Sequence, residues 1–272
     1  MKIGIFDSGY GGLTILKEIR ARLPKYDYIY LGDNARAPYG SRSFDIVYDF
    51  TLQAVKALFA RECQLVILAC NTASAKALRS IQQIDLPGMD PTRRVLGVIR
   101  PTIEIIPRLS KTGHVGLLAT RGTVASHSYA LELEKIAPKM KITELACPMW
   151  VPLVECNEAH SEGADYFVKK YISQLIDLDP LIDTIVLGCT HYPILMPKIM
   201  KYAPDGAIVL AQGARIAESL EDYLHRHPEI EKKISCDGSI EFLTTESPEK
   251  FNSLASLFLD EPVSSERILL SD

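Results

Sequence analysis

No part of this chain carries a nucleic-acid footprint. Its 30 lysines and arginines are scattered among 34 aspartates and glutamates, for a formal charge of −4, with neither a basic block nor an acidic tail. No apolar run approaches the roughly 20 residues that a membrane-spanning helix needs. The opening Met1-Lys2-Ile3-Gly4-Ile5-Phe6 passes straight into an apolar strand, without the charged region, long apolar stretch and small-residue cleavage site of a secretory leader. Six cysteines include no close pair such as C-x-x-C, so they form no disulfide framework and suit a reducing compartment. These absences predict a soluble cytoplasmic protein with neither nucleic acid nor membrane as a partner. A chain of 272 residues still buries a large core, and its length allows one domain or two.

What is present is organised around two similar stretches. One reads Leu65-Val66-Ile67-Leu68-Ala69-Cys70-Asn71-Thr72-Ala73, the other Thr184-Ile185-Val186-Leu187-Gly188-Cys189-Thr190-His191-Tyr192-Pro193. Each is a strand-length aliphatic run that ends in a small residue, then a cysteine, then small polar residues able to start a helix. In an open α/β sheet the carboxyl ends of the strands are where ligands bind, because loops and helix N-termini converge there. Two thiols in matched positions suggest one site made of two halves. The plainer alternative is a pair of buried core cysteines, since free cysteine is among the most buried residue types.

Along the chain, Lys2 to Phe6 reads as a strand, followed by the loop Asp7-Ser8-Gly9-Tyr10-Gly11-Gly12 and a helix with Leu13, Leu16, Ile19 and Leu23 on one face. The loop is not the dinucleotide fingerprint, because its glycines read G-x-G-G and Asp7 would repel a phosphate. Asp7 either faces an ammonium or cation, or caps the turn. Tyr28 to Leu31 is a second strand, and residues 32–42 make a long polar loop in which Tyr39 and Gly40 offer backbone N–H groups. Helices are predicted over 44–61 and 72–83, with prolines punctuating 87–91, then a strand over 95–99 and a helical stretch from Pro101.

Val115 to Thr123 echoes the first strand and loop at an offset of about 112 residues, and Cys189 follows Cys70 by 119. Near-constant spacing marks a duplicated α/β unit. The predicted domains are 1–98 with 208–272, and 99–207, the last elements returning to the first domain. If a small molecule lies between the two cysteines, one thiolate can remove a proton from one face of a carbon while the other thiol delivers one to the opposite face, inverting a stereocentre. Asp7 and His191 are candidate groups to shuttle or orient those protons.

The stretches Ile3 to Leu13, Gly32-Asp33 through Pro38-Tyr39-Gly40, Ala69 to Ala73 and Gly188 to Pro193 resemble the glutamate racemases of the cofactor-independent aspartate/glutamate racemase superfamily. The likeness spans nearly the whole chain, and C-N-T together with C-T-H is its most specific part. His191 after Thr190 points to glutamate, since the wider superfamily commonly has Thr-Glu after the second cysteine. The resemblance implies two pseudosymmetric three-layer α/β domains with the active site in the cleft between them. It implies a two-base interconversion of L- and D-glutamate for peptidoglycan synthesis, with neither pyridoxal phosphate nor metal. Carried over as bases are Cys70 and Cys189, supported by Asp7, His191 and Glu155. Carried over as substrate contacts are Asp7, Ser8, Tyr39, Gly40, Asn71, Thr72, Thr190, His191 and Thr123. A homodimer is left open.

The chain departs from the pattern at Arg100-Pro101-Thr102, where many members have Pro-Gly after a non-basic residue, and at Cys156-Asn157 after Glu155. It also has no N-terminal extension of the kind found in members activated by a cell-wall precursor, so that activation is not expected. Two other function classes compete. A cysteine hydrolase with Cys189 as nucleophile and His191 as base leaves Cys70 without a role. A zinc-binding or purely ligand-binding module would use Cys70, Cys189 and His191, whose spacing is not a zinc signature.

Overall fold

The computed structural model describes residues 1–270. The chain forms two compact units, the first from Met1–Val98 and the segment from Gly213 onward, the second from Ile99–Gln212. In the first unit lie β1 (Lys2–Asp7), β2 (Tyr28–Gly32), β3 (Cys63–Leu68) and β4 (Arg94–Gly97). The second holds β5 (His114–Ala119), β6 (Lys141–Ala146), β7 (Thr184–Gly188) and β8 (Ile208–Leu210). Two more strands, β9 (Ile240–Thr244) and β10 (Ser265–Arg267), follow in the first unit.

The first sheet has the order β10-β9-β2-β1-β3-β4 and the second β6-β5-β7-β8. All pairings are parallel. Each unit therefore repeats one pattern: its first strand is central, the second lies to one side, and the third and fourth lie to the other. Between the first and third strands the chain leaves in opposite directions, which opens a crevice at their carboxyl ends. Both cysteine motifs follow the third strand of their unit.

Parallel strands covered on both faces read as continuous apolar runs. In β1, Ile3 and Ile5 enter one cluster with Leu16 and Ile19 of the helix Leu13–Arg22 and Leu220 of the helix Gly213–Arg226. Phe6 enters the opposite cluster with Val47, Ala54 and Leu58 of the helix Phe44–Ala60. Each such side chain contributes about 1.5–3 kcal/mol by leaving water. In the second unit Leu175, on the helix Glu162–Leu178, presses onto β5 where a Cβ on Gly116 would stand 2.6 Å from its Cδ2.

Four elements differ from the sequence reading. The chain returns to the first unit at Gly213 rather than at 208, because β8 is tied by its ladder to β7. The strand predicted over 95–99 stops at Gly97, and the helix Ile99–Leu109 starts ahead of Pro101, which occupies the first turn where no backbone donor is required. The helix predicted over 72–83 begins at Asn71 and, through a π-helical turn at Ile81–Asp85, continues to Met89 past Pro87. Proline lacks the N–H of the helical ladder, and a wider turn just before it accommodates that loss. Finally, β10 was not foreseen, since three residues with polar Ser265 and Glu266 carry no strand pattern.

Candidate active site

In the first unit β1 ends at Asp7, which is fully buried. Its Oδ2 accepts the Gly9 amide at 2.8 Å, folding the glycine loop back on the strand end. The helix cap is Gly12, so Asp7 is not the N-cap. Gly12 is needed for space: a Cβ there would stand 2.5 Å from the Asp7 Cβ. Beside this loop, Cys70 follows β3 at the start of the helix Asn71–Lys76, whose first bond runs from Ser74 N to Cys70 O at 2.9 Å. Ser8 Oγ lies 3.3 Å from Cys70 Sγ, and Asn71 and Thr72 are buried next to it.

Tyr39 belongs to the same neighbourhood, but not as a free phenol. Its hydroxyl donates to buried Asp33, which also takes Arg36 Nε at 2.7 Å and Thr245 Oγ1 at 2.8 Å. Arg42 holds the Arg36 carbonyl at 3.0 and 2.7 Å, and the Arg36 guanidinium lies 3.9 Å over the Phe50 ring. The loop predicted from its polarity is thus tied down, with Gly40 half-buried on it. Burial, the Asp33 charge and that of Cys70 push the Tyr39 phenol far above its ordinary value, so it stays neutral.

In the second unit Cys189 follows β7, with Thr190 and His191 buried behind it. His191 Nδ1 is 3.8 Å from Cys189 Sγ, and its Nε2 is 3.1 Å from Glu155 Oε1. Glu155 ends the helix Trp150–Glu155. Trp150 packs edge-on to Tyr192 at 4.7 Å, and Tyr192 donates to the Cys147 carbonyl at 3.2 Å. Those contacts join the two segments, which are distant in sequence, and bring the carboxylate to the imidazole. Burial opposes charge on His191, yet its bonds to Cys189 and Glu155 raise it to about 10. Both bonds favour the charged ring, with one N–H toward sulfur and one toward carboxylate. Thr123 is buried after β5, bonded to the Thr120 hydroxyl through its amide at 3.3 Å and its own hydroxyl at 3.1 Å.

Burial alone does not single out the two cysteines, since Cys63 and Cys147 are buried too. Chemistry does. Desolvation pushes the Cys63 thiol up to about 12 and Cys147 well above the ordinary range, which makes both inert. Cys70 and Cys189 instead have a hydroxyl and an imidazolium within hydrogen-bonding reach. Among the described residues, no group of three or more His, Cys, Asp or Glu side chains is placed to hold a metal ion. Sequence reasoning missed Asp33 as the anchor of Tyr39; its position directly after a strand, at the carboxyl edge, was the available signal. It also missed Thr245, which nothing in the sequence connects to a loop 210 residues away.

The Asp/Glu/Hydantoin racemase model matches residues 13–217. The chain is 40% identical to the glutamate racemase of Paracoccus denitrificans over 97% of its own length and 98% of that protein. Among solved structures it is similar to a glutamate racemase isoform of Bacillus anthracis, with a TM-score of 0.90 and 31% identity over 99% of this chain and 97% of the other. It is also similar to the glutamate racemase of Francisella tularensis solved in complex with D-glutamate, with a TM-score of 0.87 and 32% identity over the same shares.

Proposed function

The chain belongs to the Asp/Glu/Hydantoin racemase family and is a glutamate racemase, and from that premise we propose that Cys70 and Cys189 are its two bases. One observation carries the reading. The two thiols occupy equivalent places after the third strand of two sheets that share the order second, first, third, fourth strand, each with a polar partner beside the sulfur.

The reaction balances without any outside reagent. A thiolate takes the Cα proton of glutamate from one face, and the opposing thiol gives a proton to the other face of the resulting carbanion. The product leaves the enzyme with the two sulfurs exchanged in protonation. His191, bonded to Cys189 and to Glu155, places a ring N–H at the Cys189 sulfur. Ser8 serves the Cys70 sulfur, and Asp7, fixed by the Gly9 amide, faces the ammonium together with Ser8. Asn71, Thr72 and Thr190 take the α-carboxylate, Thr123 supports it, and the Tyr39-Gly40 loop takes the distal carboxylate through its backbone, the phenol being engaged by Asp33. No pyridoxal phosphate or metal is required. In the cell the product supplies D-glutamate to peptidoglycan from the cytoplasm, consistent with a chain that has no helix long and apolar enough to cross a membrane among its described residues.

Cys70→Ser and Cys189→Ser test the assignment, because a hydroxyl is far less acidic than a thiol. Each variant is expected to lose racemisation, followed by circular dichroism of glutamate, while still exchanging the α-proton of one enantiomer with deuterated water. The exchanged enantiomer should differ between the two. Racemisation at the unmutated rate in either variant refutes the two-base reading.

A further inference from the structure

Gln212 is the last residue of the second unit before the chain crosses at Gly213. It is 2% exposed, and its Nε2 donates to Thr102 Oγ1 at 2.8 Å and to the Tyr129 hydroxyl at 2.7 Å. Thr102 stands just inside the other crossing, which falls between Val98 and Ile99. Both partners are fully buried, Thr102 on the helix Ile99–Leu109 and Tyr129 on the helix Ser128–Ile136. One amide therefore ties the segment that enters the unit to the segment that leaves it. Thr102 is also the residue at which the chain departs from the Pro-Gly of the proteins it resembles, and here its hydroxyl has a partner.

A buried amide is an expensive way to fill space. Left unpaired it costs about 1–3 kcal/mol, whereas an apolar side chain of the same volume costs nothing of the kind. Its use is directional, since a satisfied buried polar group specifies one arrangement of the elements it joins. The third member of this cluster leads back to the site. Tyr129 lies on the helix Ser128–Ile136, which packs against the helix Ile99–Leu109, and that helix packs in turn against β7, the strand that Cys189 directly follows.

We propose that Gln212 is a positioning residue, which with Thr102 and Tyr129 fixes both ends of the second unit to the helix that packs on β7, the strand leading into Cys189, and so sets the thiol for proton transfer. The proposal rests on the reading of Cys189 as a base. A group displaced by about 1 Å can lose about 100-fold in rate, so the effect belongs in kcat and not in KM.

The test uses the full chain with Gln212→Met, Thr102→Val and Thr102→Ser, assayed for kcat and KM in both directions well below the melting temperature. Gln212→Met and Thr102→Val are expected to lower kcat by about 10–100-fold with KM within about threefold, and their double variant to lose little more than either alone. Thr102→Ser, which keeps the hydroxyl, should stay within about twofold of the parent. The primary isotope effect with 2-deuterated glutamate should rise for one enantiomer only, which a general loosening of the fold would not produce. Should Gln212→Met fail to fold, the Val and Ser variants at 102 decide the matter. Parental kcat in Thr102→Val, or a lowered melting temperature with unchanged kcat, overturns the proposal. Cys189→Ser separates the two failures: if it racemises normally the base assignment is wrong, and if it is inactive while Thr102→Val is normal, the clamp is wrong.

Discussion

His191→Asn removes the imidazolium from the chain Cys189–His191–Glu155 while keeping a polar side chain of similar reach. An imidazolium N–H donated to the sulfur is a hydrogen bond to a charged group, worth about 1.5–3 kcal/mol. The expected loss in kcat is therefore about 10–150-fold. Because the equilibrium constant between enantiomers in water is one, kcat/KM must fall equally in both directions. The asymmetry appears elsewhere: the deuterium isotope effect should grow toward its full value for the enantiomer whose proton Cys189 removes. The sign of the pH dependence follows from the raised value. The favourable contribution of charged His191 to stability and to rate is complete below about 6.5 and is lost as pH rises through about 10. Stopped-flow circular dichroism between pH 6 and 11 measures both quantities. A variant with parental kcat, or with equal isotope effects for the two enantiomers, would show that the imidazolium does not act on Cys189.

Three further outcomes are expected. Gly12→Ala drives a methyl into Asp7, whose own backbone is fixed in β1, and should cost about 1–3 kcal/mol of stability by chemical denaturation together with most of the activity; a fully active, equally stable variant contradicts the close approach. Buried Asp179 and half-buried Asp183 would be raised by desolvation, but His114, Lys141 and the Leu181 amide bring the first, and Ser110 with the amides of Thr112 and Lys111 the second, down to about 2. Their stabilisation, about 1 kcal/mol each after solvent screening, is full above pH 3.8 and lost as pH falls through 2, so Asp179→Asn should flatten the acid limb of a melting-temperature profile. Aspartate, one methylene shorter, should leave the donors of the Tyr39-Gly40 loop unpaired and be turned over as much as about 10⁴-fold less efficiently than glutamate; comparable racemisation of the two would overturn the assignment of that loop.

The cysteine strands were legible because buried parallel strands carry continuous aliphatic runs, as β3 does over 65–68 and β7 over 185–187. The repeat was legible because duplicated units keep their spacing. Side-chain partnerships formed by folding were not. Nothing local tells that the Tyr39 phenol is spent on Asp33, or that Thr245 closes the same network from a returning segment. His191 could be chosen from its nearness to Cys189, while Glu155, 36 residues earlier, reaches it only through the packing of Trp150 on Tyr192. The π-helical turn at Ile81–Asp85 lies inside an ordinary helical pattern and reflects a proline beyond its end.

The split first unit bears on how the chain is made. Translation delivers β1 to β4 first, but β2, the sequence Tyr-Ile-Tyr-Leu-Gly, acquires its outer neighbour β9 only when residues 240–244 emerge. The second unit is continuous from 99 to 212 and holds all the strands of its own sheet. It can close on itself while the first waits with an apolar edge uncovered, which inverts the usual N-terminal-first order. A message broken before codon 240 would yield a sticky chain with an open strand edge, not a half-active one.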